Sequence, residues 1–182
     1  MVIKVYRREL IYANHLSFPE DIFYEDNCAG TIWMLTARHF ELIEEPLYYY
    51  YQNPDSTVHV INRSKCENRK TAARLLAEGC KEHGFTETFH DEIEFRFTEL
   101  FYSTTLFSYL SGIQGESHLQ QLSYVGALAR EMKATFPAFR ETPYSRELMG
   151  KEEKELIDLQ MKSNLLFYLK YKLMQTVRRI RK

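Results

Sequence analysis

The sequence predicts an α+β fold that is predominantly helical, with a mixed strand and helix region over residues 1–62 and an all-helical region over 63–182. Short apolar segments bounded by turn residues, which are typical of strands, are confined to the first region. After residue 62, apolar residues recur at steps of three and four, the period of an amphipathic helix. With 182 residues, 45% of them apolar, the chain is long enough to bury a core without disulfide or metal staples.

Three short strands and one amphipathic helix are expected in the first region. Residues 2–6 alternate loosely and predict a strand that leads into a short helix. Apolar residues between 26 and 38 recur at helical spacing, which predicts the amphipathic helix. Residues 40–43 and 47–51 predict two further strands, separated by Pro46.

Helices are expected throughout the second region. Ser64 and Glu67 fit a capping box that opens the first helix, and Gly84 is its expected C-terminal stop. The later helices are indicated by apolar stripes over 89–110, 119–132 and 151–180. Residues 136–144, with two prolines, predict a loop.

Charge and cysteine content limit the environment in which the chain is expected to work. The three cysteines show no paired ligand spacing, and the N-terminal residues do not form a signal peptide, so reduced thiols in the cytoplasm are expected. The net charge of −1 is unevenly spread, because the chain carries no acid after Asp158. That segment has a charge of +7, from Lys162, Lys170, Lys172, Arg178, Arg179, Arg181 and Lys182.

Four segments, taken in order, resemble motifs of the bacterial family 2 glycosyltransferases of GT-A type. FPEDIFYEDN at 18–27 is similar to the family pattern F-x-E-G-x-x-Y-E-D, and IEEPLYYY at 43–50 is similar to I-x-x-P-L-Y-x-Y. KVYRREL at 4–10 resembles the K-L-Y-R-R segment upstream, and FPAF at 136–139 resembles the helical extension of the same enzymes. The resemblance implies that 1–62 is a partial GT-A acceptor-side region and that 63–182 is the helical C-terminal extension.

What the resemblance implies chemically is inverting sugar transfer. In the family, the second acid of the E-D pair removes the proton from the acceptor hydroxyl, and this role maps onto Asp26, with Glu25 beside it. A helix N-terminus favours an ionised carboxylate, so the role is physically reasonable. The alternative is that both acids are simply favourable residues for the first turn of a helix. Candidates for the loop that faces the acceptor or the diphosphate are Lys4, Tyr51, Asn53 and Ser56.

The sequence also departs from the family. It contains no Asp-x-Asp triplet, which in relatives holds Mg²⁺ or Mn²⁺ on a nucleotide-sugar, so no cofactor is expected in this chain itself. Tyr51 and Asn53 stand where relatives often carry arginines that neutralise the leaving diphosphate. We therefore expect a fragment or a truncated gene product that is inactive in isolation. His90 and Glu94 are spaced i, i+4, but two ligands do not make a metal site, and a solvated helix face is favoured.

Two functions from different classes remain open at this point. The first is the acceptor half of a transferase that acts on a glycan or a lipid-linked acceptor in cell-surface polysaccharide synthesis. The second is a non-catalytic helical interaction module of the same ancestry. Unpaired strands favour a homo-oligomer, unless the helices fold back over them.

The basic tail at 164–182 is expected to touch an anionic membrane surface from the cytoplasmic side, because its leucines form one stripe among the bases. The alternative is that this stripe packs on the preceding helices. No recognised nucleic-acid module accompanies the bases, so nucleic acid is not an expected partner.

Overall fold

Helices form all the regular secondary structure in the part of the chain that the computed structural model describes, residues 4–51 and 61–180. The α+β prediction is therefore wrong for these residues. In chain order the helices are α1 (Arg8–Ala13), α2 (Glu25–Thr36), α3 (Arg63–Glu82), α4 (His90–Phe97), a π-helical turn (Thr98–Ser103), α5 (Thr104–Gly112), α6 (His118–Thr135), α7 (Pro143–Leu148), α8 (Lys151–Lys162) and α9 (Asn164–Ile180).

The predicted strands are the main error. Residues 40–43 and 47–51 are irregular, and every side chain from 38 to 51 is exposed. Of the first predicted strand, residues 4–6 are irregular, and residues 2 and 3 lie outside the described part of the chain. A strand is stable only where a neighbour accepts its ladder of hydrogen bonds, and a local alternation of apolar residues cannot supply that neighbour.

α3 lies at the centre of the helical bundle and contacts α2, α4, the π-helical turn and α5. Its buried stripe follows helical spacing through Cys66, Ala73, Leu76 and Cys80, each with no exposed surface. The predicted capping box is wrong, because the helix begins two residues earlier. The side chain of Asn62 accepts a hydrogen bond of 2.9 Å from the backbone N–H of Lys65 and is the actual N-cap.

α4, the π-helical turn and α5 form one continuous helical stretch, as the predicted stripe over 89–110 indicated. The π-helical turn widens the buried face, because one extra residue per turn brings neighbouring positions onto the same side. Leu100, Phe101, Tyr102 and Ser103 are all buried as a result. The Thr105 hydroxyl donates to the Leu100 carbonyl at 2.8 Å, a buried contact within this stretch.

α1 and α2 form a smaller layer beside the bundle. Trp33 on α2 is buried against Leu16 and Ala29, and its ring meets the ring of Tyr6 edge-on with centroids 5.1 Å apart. α2 in turn crosses α3 at Gly79, where any Cβ would collide with the Ile32 side chain. The predicted helix over 26–38 is confirmed, and this crossing fixes its position on the bundle.

The predicted C-terminal helix is two helices, because the chain breaks at Ser163, which has extended backbone angles. α8 and α9 pack as an antiparallel pair, and Arg178 near the end of α9 binds Glu152 near the start of α8 at 2.7 Å. A buried amide at Gln160 accepts from the Tyr102 hydroxyl at 2.6 Å and donates to the Val125 carbonyl at 2.9 Å. This network ties the hairpin to the bundle. Among the described residues, no helix is both long and apolar enough to cross a membrane.

Candidate functional site

The predicted catalytic acids lie in the first turn of α2. Glu25 and Asp26 are both partly buried there, at the border between solvent and the bundle. The residue before them, Tyr24, is the N-cap, and it adopts the left-handed conformation with φ 71° and makes no side-chain cap bond. That conformation is uncommon for a bulky residue and needs support from its surroundings.

α3 supplies this support from one helical face. The Asn68 side chain accepts a hydrogen bond of 3.0 Å from the Phe23 backbone N–H, and the Lys65 ammonium lies 5.5 Å from the centre of the Phe23 ring. The Arg69 guanidinium lies 4.5 Å from the centre of the Tyr24 ring and donates to the Tyr24 hydroxyl at 2.9 Å. The loop that presents the two acids is therefore held by cation–π contacts and hydrogen bonds to buried bases.

A third basic residue, Arg96 on α4, is linked to Asp26 through the side-chain amide of Asn27. The Asn27 side-chain oxygen accepts a hydrogen bond of 2.9 Å from Arg96 on α4. The Asn27 amide nitrogen then donates to the Asp26 carboxylate at 3.2 Å. Because Arg96 fixes which way the amide points, Asp26 receives an N–H and not a carbonyl oxygen. Arg96 also forms an ion pair with Glu99, so its own position is fixed.

These contacts create a carboxylate that is anchored and only partly solvated. Such a group suits proton transfer from a hydroxyl, because its orientation is set before a ligand arrives. The described residues contain no group of three or more side chains that could hold a metal ion. The Glu25 and Asp26 carboxylates themselves offer the chemistry of a base and a hydrogen-bond acceptor.

The other predicted site residues are not brought to the carboxylates. The Lys4 ammonium lies 3.1 Å from the sulfur of Met34, near the opposite end of α2 and eight residues beyond Asp26. That separation corresponds to about 12 Å of helical rise. Tyr51 is 72% exposed at the end of the irregular segment. Asn53 and Ser56 lie outside the described residues.

Sequence reasoning missed the bases that hold the site. Arg69 is buried, with 7% of its surface exposed, and it falls on the same helical stripe as Cys66 and Ala73. A charged residue on an otherwise apolar stripe is a recognisable sign of a buried polar contact. Arg96 offers no such indication, because its role depends on one side-chain hydrogen bond from α4 to Asn27 on α2.

The expectation of a solvated face at His90 and Glu94 is wrong for the second residue. Glu94 is buried, with 5% of its surface exposed, and its Oε1 has no hydrogen-bond partner among the described residues. Burial raises the pKa of the Glu94 carboxyl, and the nearby His90 counteracts this only in part. His90 is exposed, with its Nε2 3.9 Å from a Glu94 oxygen.

A surface cavity of about 470 Å³ lies elsewhere, on α6 and the start of α3. Arg63 and Glu116 line it and form an ion pair of 3.1 Å. The Tyr109 hydroxyl donates to Glu116 and, with Arg63, lowers the pKa of that carboxyl. The lining does not include the acids of α2, so this cavity is separate from the predicted site.

No family model, no curated protein sequence and no solved structure matches this chain.

Proposed function

We propose that this chain contributes the acceptor-side base of an inverting glycosyltransferase of family 2, which acts on a glycan or a lipid-linked acceptor for cell-surface polysaccharide. The transferase works in the cytoplasm, at the inner face of the membrane. The observation that carries the proposal is the anchoring of Asp26 within the FYEDN motif. The acid implied by the resemblance is held in the first turn of α2 by Asn27 and Arg96.

In this mechanism Asp26 accepts the proton of the acceptor hydroxyl. The hydroxyl oxygen bonds to the anomeric carbon of the sugar while the bond from that carbon to the nucleoside diphosphate breaks, so the configuration inverts. The leaving diphosphate takes the bonding electron pair, and the proton stays on Asp26.

The donor is held by residues other than those of this site. The sequence contains no Asp-x-Asp triplet for Mg²⁺ or Mn²⁺ and the nucleotide-sugar, so transfer requires a donor-binding partner. Positioning of the two reactants supplies about 7–11 kcal/mol of the lowering of the barrier in such reactions. The isolated chain is therefore expected to show neither transfer nor calorimetric binding of UDP with Mn²⁺. Micromolar binding of a nucleotide-sugar would contradict this division of labour.

Acceptor binding tests the proposal without a donor. A glycan panel, including lipid-linked oligosaccharides in detergent, is titrated into ¹⁵N-labelled protein, and amide shifts are mapped onto the structure. We expect shifts to concentrate at residues 23–27 and on the facing turn of α3 for at least one glycan class. Shifts confined to the cavity beside Arg63 and Glu116, or none for any glycan, would contradict the proposal.

A second candidate function is a non-catalytic interaction module, and the irregular segment at 38–51 favours it. Leu42, Leu47 and Tyr49 are 86%, 75% and 86% exposed, which is a large apolar surface for one loop. Such a surface favours association with a second copy of the chain. Light scattering at tens of micromolar should then show a dimer that the double variant Leu42→Ser/Leu47→Ser dissociates, with Leu148→Ser as control. A monomer at all concentrations would remove this candidate.

A further inference from the structure

α9 has two apolar faces on opposite sides of the helix. One face is buried and joins the helix to the bundle through Phe167, Tyr168 and Tyr171. Tyr168 donates to the buried Gln121 side chain at 2.8 Å and also lies within hydrogen-bond distance of His118, so this face is fixed on α6. The alternative that the leucine stripe packs on the preceding helices is therefore wrong, because these aromatic residues occupy that interface.

The leucine stripe covers the other face and is open to solvent. At about 100° per residue, its members fall within one third of the helix circumference, roughly opposite Tyr171. Its exposure is substantial along the whole helix. The exposed fractions are 52% for Leu165, 56% for Leu166, 55% for Leu169, 65% for Leu173, 40% for Val177 and 79% for Ile180.

Bases border this stripe on both edges. Lys170 lies at one edge, and Lys172 and Arg179 lie at the other, by the same helical spacing. α9 contains no acid, and Arg178 is already engaged with Glu152 of α8. Arg181 and Lys182 follow in the sequence. The outer face is thus apolar along its middle and positive along both edges.

We propose that this outer face of α9 lies flat on an anionic lipid surface. The stripe would enter the boundary between headgroups and acyl chains, while the lysines and arginines reach the lipid phosphates. The bundle holds α9 by its opposite face, so the helix is already folded before it meets the lipid and loses little conformational entropy on docking. Each base near an anionic surface strengthens binding by about fivefold at low salt.

Charge favours lipid over a second copy of the chain as the occupant. Pairing two such faces would bring their basic edges together without a single acid from either helix. Anionic headgroups instead neutralise these bases and leave the leucines in an apolar layer.

The test is co-sedimentation of the full chain with vesicles of phosphatidylcholine containing about one third phosphatidylglycerol, at low salt and at high salt, where charges are screened within a few ångströms. Two double variants are compared, Leu169→Gln/Leu173→Gln and Lys170→Gln/Arg179→Gln. Their matched controls are Leu119→Gln and Lys133→Gln on α6, where Leu119 is 79% exposed. Circular dichroism verifies that every variant is folded.

We expect the leucine variant to lose about a hundredfold in vesicle affinity, since each leucine contributes about 1.5 kcal/mol or more when it leaves water. The lysine–arginine variant should lose about twenty-five-fold in vesicle affinity at low salt and much less at high salt. Both controls should bind like the natural chain. Equal binding by all variants, or no binding to anionic vesicles, would overturn the proposal. So would light scattering that shows the stripe variant to dissociate a dimer without affecting lipid binding.

Discussion

Replacement of Arg69 by alanine tests whether α3 holds the loop that presents the two acids. Truncation to alanine removes its hydrogen bond to the Tyr24 hydroxyl at 2.9 Å, its cation–π contact with the same ring at 4.5 Å, and a longer bond to the Thr104 carbonyl at 3.4 Å. A hydrogen bond from a charged donor contributes about 1.5–3 kcal/mol, and a partly desolvated cation–π contact about 1 kcal/mol. The desolvation cost of burying the guanidinium disappears with the side chain, and this offsets part of the loss.

Arg69→Ala should lower the free energy of unfolding by about 3 kcal/mol, obtained from the shift in the urea midpoint at constant slope. Arg74→Ala is the matched control on the same helix, because Arg74 also contacts an aromatic ring but is half exposed and pairs with Glu131. Its expected cost is about 1 kcal/mol or less. A double-mutant cycle of Arg69→Ala with Tyr24→Phe should give a coupling energy of about 1 kcal/mol. Equal costs for the two arginines, or zero coupling, would refute the assignment of Arg69 to the Tyr24 loop.

Two acids with shifted pKa values and one close helix contact give three further predictions. Burial raises the pKa of Glu94, so the folded state loses stability as the pH rises from about 4.3 through that raised pKa. Glu94→Gln should therefore be more stable than the natural chain in urea denaturation at pH 7. Lower stability of the variant would contradict this. The pKa of Glu116 is lowered because the Tyr109 hydroxyl donates to its carboxylate. Its contribution to the free energy of unfolding is therefore present above about pH 4.3 and is lost as the pH falls through the lowered pKa of the folded state. Glu116→Gln should flatten the acid side of the plot of stability against pH, and an unchanged plot would count against this. Gly126→Ala should lower the free energy of unfolding by about 1–3 kcal/mol, because the new Cβ would lie 2.8 Å from the Asn164 side chain of α9. Gly150→Ala, with open space around it, should lower it far less.

The long helices were predictable because each carries an apolar stripe of helical period, which in α2, α4 and α5 is buried by packing against α3. The start of α2 at Glu25 and the long stripe through α4 and α5 are examples of this agreement. The strands failed for a physical reason. The segment at 47–51 has strand-like composition, but in the described chain no neighbouring strand accepts its backbone hydrogen bonds, so composition alone does not make it a strand.

The candidate site was predictable only at its centre. The FYEDN motif placed Glu25 and Asp26 at a helix start, which the structure has. The support from Arg69 depends on how α3 crosses α2. The support from Arg96 depends on a side-chain contact with Asn27, 69 residues away, which no local pattern encodes. Lys4 was grouped with the acids by resemblance, whereas its position is set by the packing of the first residues along α2 toward Met34.

The most direct test of the central claim is the affinity of one bound glycan for Asp26→Asn against the natural chain, measured by isothermal titration calorimetry. The substitution keeps the shape of the side chain and removes its charge. If a glycan hydroxyl donates to the carboxylate, the binding free energy weakens by about 1.5 kcal/mol or more, which is at least about tenfold in affinity. Asp21→Asn is the matched control, because Asp21 lies in the same loop at φ 59°, a conformation that asparagine also adopts. We expect tenfold weaker binding for Asp26→Asn alone. Equal affinities for both variants and the natural chain would contradict the role of Asp26 in acceptor recognition.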